Sequence, residues 1–140
     1  MIEALDELVQ VGFVRPEIEV GSEWWWDALA DGRLMLPRCA NCGRCSFPPM
    51  PSCPHCAGTA FERIDASGRG SVYSWVVARY ALDPAFSADV PYALVVVDLE
   101  EGARAVGRLF GEFIRIRAGS EVKAVRYAVQ GSTLLGFELV

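Results

Sequence analysis

Along the second half of the chain, apolar and polar positions alternate in short runs separated by turn residues, the pattern of strands rather than helices. In Ser71–Tyr80, Val72, Val76 and Ala78 alternate with Tyr73, Trp75 and Val77. Pro91–Leu99 holds a continuous Ala-Leu-Val-Val-Val, and Ala103–Leu109, Val122–Val129 and Leu134–Leu139 follow. Glu100-Glu101-Gly102 predicts a tight hairpin turn with solvated carboxylates, and Ala81–Val90 a longer loop. Five strands between residues 71 and 139, with no long helical pattern among them, predict a small five-stranded barrel of the OB type, whose closure removes exposed edges. An open antiparallel sheet packed on the preceding segment is the alternative.

The first third reads differently. Ile2, Leu5, Leu8 and Val9 recur at helical spacing and predict a short amphipathic helix over residues 2–10. Ser22 is placed to cap a second helix over Glu23–Asp31, with Gly32 as its stop. At about 100° per residue, the apolar positions of that helix fan across roughly 240°. A helix packed on its own domain needs a stripe little wider than about 100°. At least one of Trp24, Trp25 and Trp26 is therefore expected to face a second partner, either another chain or another copy, the alternative being that the preceding segment folds over the helix.

Between these regions lie a strand-like Leu34-Met35-Leu36, Cys39-Ala40-Asn41-Cys42-Gly43, Phe47-Pro48-Pro49, Cys53-Pro54-His55-Cys56 and a second apolar run over Ala60–Ile64. Two residues between paired cysteines let the chain turn tightly enough to bring both sulfurs to one ion. Two such pairs complete a tetrahedral S4 site, so Cys39, Cys42, Cys53 and Cys56 are the expected ligands. Cys45 also stands two residues beyond Cys42 and offers an alternative pair; it is read as a spare thiol. S4 sites accept zinc or iron. Zinc is expected, and a closed S4 shell makes it structural. Asp65-Ala66-Ser67-Gly68-Arg69-Gly70 is the clearest breaker, dividing the chain into a helical segment (1–33), a ribbon (34–66) and a barrel (67–140).

Composition narrows the function. The chain has 140 residues, 52% of them hydrophobic, a formal charge of −5 and five cysteines, all between Cys39 and Cys56. Clustered cysteines fit metal ligation in a reducing compartment better than a disulfide framework. No apolar run reaches the ~20 residues of a membrane span, and the start lacks a basic segment, so a cytoplasmic protein is expected. Residues 65–140 carry 9 acids and 8 bases, a poor charge balance for holding phosphate backbones. The only histidine, His55, sits inside a cysteine pair, so no Ser-His-Asp or Cys-His couple can be assembled. No phosphate-binding loop or metalloprotease motif occurs. The chain is not expected to be an enzyme on its own.

The order Trp25-x3-Leu29-x2-Gly32-x-Leu34, Cys39-x2-Cys42-Gly43, Phe47-Pro48-Pro49, Cys53-Pro54-x-Cys56, Gly68-x-Gly70-x-Val72-Tyr73-Ser74, Pro91-Tyr92 and Gly107 resembles the acyl-CoA-associated zinc-ribbon plus OB-fold proteins, domain of unknown function thirty-five. The resemblance runs over residues 22–140. It implies an N-terminal helix, a rubredoxin-like ribbon and a C-terminal OB barrel. It further implies a non-catalytic subunit that joins a thiolase-like enzyme (thiolase, acyltransferase or lipid-transfer-protein-type aldolase) or a MaoC-like enoyl-CoA hydratase of lipid or steroid metabolism, and helps bind acyl-CoA. The family's metal ligands fall on Cys39, Cys42, Cys53 and Cys56. On this reading Trp24, Trp25, Trp26 and Leu29 bury in the partner, and a ribbon–barrel cleft near Phe47 takes part of the CoA, with Arg38, Arg69 or Arg79 pairing its phosphates. Two alternatives remain: an OB module that stacks single-stranded nucleic acid on Tyr73, Trp75 and Tyr80, and a small redox protein with iron at the S4 site.

Overall fold

A computed structural model of the chain describes residues 1–6 and 16–140. Among them the elements run β1 (Glu3–Ala4), α1 (Glu23–Ala30), β2 (Met35–Cys39), β3 (Phe61–Asp65), β4 (Arg69–Ala78), β5 (Tyr92–Leu99), β6 (Arg104–Phe110), β7 (Glu121–Val129) and β8 (Ser132–Leu139). The antiparallel pair β2–β3 forms the ribbon. Strands β4, β5, β6, β8 and β7 pair in that order, and β7 returns to β4 through Arg69–Ser71 opposite Glu121–Lys123. The sheet is thus closed rather than open.

Two expectations fail at the N-terminus. The sheet has six strands instead of five, because Glu3 and Ala4 pair in parallel with Val125 and Arg126 of β7. Residues 2–6 are therefore not the start of a helix; the rest of the predicted 2–10 segment lies outside the described residues. Tertiary bonds decide it. The Ile2 N–H donates to Gly32 O and the Leu5 N–H to Arg126 O, and a helix of so few turns is marginal without outside support.

The alternation expected along β4 breaks at a β-bulge between Val72 and Ser74. An extra residue reverses the faces beyond it. Trp75 and Val77 lie opposite the buried Val95 and Ala93 on the inner face, whereas Val76 is 62% exposed. The hairpin at Glu100–Gly102 forms, but its carboxylates are not free in solvent. Glu100 accepts from Ser67 Oγ and Glu101 from the Ser67 N–H, tying the ribbon–barrel linker to the barrel.

Helix α1 ends where Gly32 turns the chain at φ +84°. Ser22 occupies the N-cap position but does not cap; its hydroxyl donates instead to Glu19 O. Trp25 and Leu29 from α1, Leu34 and Leu36 from the ribbon edge, and Val95 and Phe137 from the barrel share one core. One apolar interior thus supports all three segments.

Candidate metal centre and ligand cleft

Each cysteine pair folds into the same knuckle. The Gly43 N–H donates to Cys39 O and the Ala57 N–H to Cys53 O, both at 2.9 Å, and the two donor residues share a left-handed backbone, with φ +77° and +63°. The knuckles face one another. Cys39 Sγ lies 3.5 Å from Cys56 Sγ, Cys42 Sγ lies 3.7 Å from Cys53 Sγ, and all four sulfurs fall within 4.8 Å of one another. Metal–sulfur bonds of ~2.3 Å in a tetrahedron require sulfur separations of about 3.8 Å, so the donor set fits one zinc-sized ion. The His55 N–H donates to Cys53 Sγ and Asn41 Nδ2 to Cys56 Sγ. The Asn41 amide helps hold the Cys56 thiol down at about 6, which favours the thiolate.

Cys45 stands outside this set. It is buried beside Arg38, to which it bridges through the backbone, and burial pushes its thiol up. His55 is exposed, with Nδ1 3.2 Å from an Arg44 guanidinium nitrogen.

The tryptophan helix differs from expectation. Trp25 and Leu29 are 5% and 0% exposed within this chain, so neither is available to a partner. Trp25 packs edge-on against Trp26 at 4.9 Å and Phe47 at 5.5 Å. The second surface that the wide apolar arc called for is supplied from within. Arg63 of the ribbon lies over Trp24 at 4.6 Å, and Glu17, Glu19 and Ser22 line a cleft with Trp26. Only Trp24 and Trp26 stay half-exposed.

The three arginines do not converge. Arg38 pairs across the ribbon with Glu62 at 2.7 Å, whose hydrogen bond and charge raise its pKa further. Arg69 opens β4 and Arg79 lies just beyond its other end, roughly 30 Å away along an extended strand. The three candidate stacking aromatics also separate. Tyr73 lies under the Arg104 guanidinium at 3.6 Å, Trp75 shares the barrel's inner face, and Tyr80 is exposed beyond the strand end.

Of the predicted ligand residues, Phe47 lines one cleft and Arg69 a separate one of about 370 Å³. A cleft of about 440 Å³ opens between α1 with Phe47-Pro48-Pro49 and the outer face of the barrel. Leu94 and Val106 form its floor. Arg108 and Tyr127, absent from the sequence expectations, join Glu17, Glu19 and Ser22 in its polar lining. Arg108 is 14% exposed, pairs with Asp89 at 3.2 Å and sits over Tyr92 at 4.8 Å. Tyr127 packs edge-on against Phe110 at 4.9 Å, and burial raises its hydroxyl pKa. Arg108 sits two residues past Val106, on an outward face of β6; its Asp89 partner comes from a distant loop, which no local pattern reveals.

Residues 26–62 match the family model of the ChsH2 rubredoxin-like zinc ribbon domain, and residues 63–126 that of the ChsH2 C-terminal OB-fold domain. A chain of a solved structure, the Ltp2-ChsH2(DUF35) aldolase, aligns with a TM-score of 0.78 and 35% identity, covering 89% of this chain and 98% of that one. The chain belongs to the DUF35 family. This DUF35 chain is also similar to the probable enoyl-CoA hydratase alpha subunit of Thermomonospora curvata, at 40% identity over 97 residues, 69% of this chain and 30% of the relative. It is similar as well to the benzoylsuccinyl-CoA thiolase subunit BbsA of Thauera aromatica, at 35% identity over 103 residues, 69% of this chain and 67% of the relative. The chain spans 30%, 54% and 38% of three of the curated relatives it matches.

Proposed function

We propose that this DUF35 chain is a non-catalytic accessory subunit that binds acyl-CoA jointly with a thiolase-like enzyme or a MaoC-like enoyl-CoA hydratase. One observation carries the reading: relatives of this one module are named for a hydratase, a thiolase and an aldolase. The three names cover different reactions and two of them carry a CoA thioester, so the shared module is read as serving the CoA ligand and an enzyme to hold rather than one chemical step. The local chemistry agrees. The His55 ring nitrogen Nδ1 faces the Arg44 guanidinium, and Cys45 is buried against the core.

Cys39, Cys42, Cys53 and Cys56 would hold a structural zinc, which ties the two knuckles together and offers no open position to substrate. The ribbon then acts as a rigid docking element, with half-exposed Trp24 and Trp26 at the enzyme surface. Free thiols in this arrangement suit a reducing, cytoplasmic setting. Co-expression with a thiolase-like or MaoC-like chain encoded beside it tests the proposal. Co-purification and a rise in acyl-CoA turnover are expected; a chain that neither co-purifies nor alters turnover would overturn it.

A further inference from the structure

Closure of the barrel uses only the first residues of β4. Arg69–Ser71 pair with β7; the Val72 N–H then donates to Ser120 O, and the Val72 carbonyl accepts from the Gly119 N–H. Beyond the bulge, Ser74–Ala78 pair with β5 along one side. Among the described residues, no backbone group pairs with the other side. Antiparallel geometry turns the N–H and C=O of alternate residues toward each edge, so this stretch presents a row of unpaired strand groups.

Natural sheets blunt such an edge with charge, proline or a covering segment. From Gly70 to Ala78 the chain has no charged residue and no proline, and the bulge falls at the start of the uncovered stretch rather than within it. Trp75, on the inner face, is still 38% exposed, and Val76 on the outer face is 62% exposed. The edge fits a copy of itself. Antiparallel pairing about a two-fold axis at Val76 sets that residue against Val76 of the copy, and Trp75 against Val77 on the inner side, the latter pair formed twice by symmetry. Aromatic and β-branched residues are favourable cross-strand partners. A formal charge of −5 makes copies repel elsewhere, but here no like charges stand opposite. The two Arg79 side chains fall at opposite ends of the pair, about 20 Å apart, each beside Tyr73 of the copy and its neutral Asp98–Arg104 ion pair.

We propose that this chain forms a homodimer through the Ser74–Ala78 edge of β4, two barrels joining edge to edge in one continuous sheet. One such contact uses the open edge of both copies and leaves none for a third, so association stops at the dimer. The proposal stands apart from the accessory role and can be tested without any enzyme.

Analytical ultracentrifugation of the full, zinc-loaded chain across about two decades of concentration is expected to show a shift from monomer to dimer. Val76→Lys sets two ammonium groups face to face across the axis and should weaken association at least about tenfold. Its unfolding midpoint should match that of the parent at dilutions where both are monomeric, which separates a lost contact from a lost fold. Val76→Glu alone should weaken association in the same way. An equimolar mixture of the two variants is expected to recover the dimer, since ammonium then stands opposite carboxylate, an outcome specific to an axis at position 76. A chain that stays monomeric throughout, a dimer indifferent to Val76→Lys, or a mixture that stays monomeric overturns the proposal. So does a monomer whose Val76→Lys variant loses only its enzyme partner, a result that assigns the edge to a strand of that enzyme.

Discussion

Gly43 and Gly107 are small for different reasons. At Gly43 the backbone is left-handed, but a Cβ would meet nothing within 4 Å, and the other knuckle already carries Ala57 in the same conformation. At Gly107 a Cβ would stand 2.9 Å from Leu135 O and 2.9 Å from the Phe137 ring, where β6 and β8 run in parallel. Backbone cannot yield as a side-chain tip does. Gly43→Ala is therefore expected to cost about 1–2 kcal/mol, from its left-handed backbone alone, and Gly107→Ala about 1–3 kcal/mol, from overpacking, read from urea unfolding midpoints. The motif alone presents both glycines alike; only the neighbouring strand distinguishes them. The same holds for Arg108, whose position on β6 was legible and whose Asp89 partner was not.

At the level of elements, the junction of α1 with the rest depends on two arginines. Arg126 of β7 donates to Ala30 O at the C-terminal end of α1, where unsatisfied carbonyls favour a cation. Arg126→Met is expected to cost about 1 kcal/mol and to loosen hydrogen exchange in α1 before the barrel. Arg33 grips Asp65 with two hydrogen bonds, at 2.9 and 2.8 Å, joining the chain after α1 to the end of β3. The hydrogen bond and charge of Arg33 lower the Asp65 pKa. A depressed folded-state pKa contributes stability that is present above the unfolded value, about 3.9, and is lost as pH falls through the folded value. Asp65→Asn should thus lower the unfolding midpoint at pH 7, with the gap to the parent closing at acid pH below about 3.9; a gap that persists there would refute the linkage. The strands were readable from period, and α1 from its apolar run and the Gly32 stop. The bulge at Tyr73 and the strand at Glu3–Ala4 were not, since each is set by hydrogen bonds to a segment far along the chain.

Across the whole molecule, the ribbon depends on its knuckles and the barrel on its own closure. The ribbon contributes Leu34, Leu36 and Cys45 to the shared core, whereas most of that core belongs to the barrel strands. Structural zinc supplies folding free energy where apolar burial is small. Removing the metal with a chelator under reducing conditions should raise hydrogen exchange in β2 and β3 by on the order of a hundredfold or more, with β5 and β6 little changed. Uniform loosening of both would show that the two units fold as one.

The chain's own order of residues settles what is local: strand periodicity, paired cysteines whose spacing lets two sulfurs reach one ion, and the absence of any base beside a nucleophile. These are properties of neighbours in sequence, and short-range geometry is enough to specify them. Burial of Trp25 and Leu29 inside the chain, separation of Arg38, Arg69 and Arg79, and the meeting of Arg108, Tyr127 and Trp25 around one cleft depend on which surfaces the closed sheet turns toward α1. Contacts between residues that far apart follow from packing of the finished fold, which no local pattern encodes.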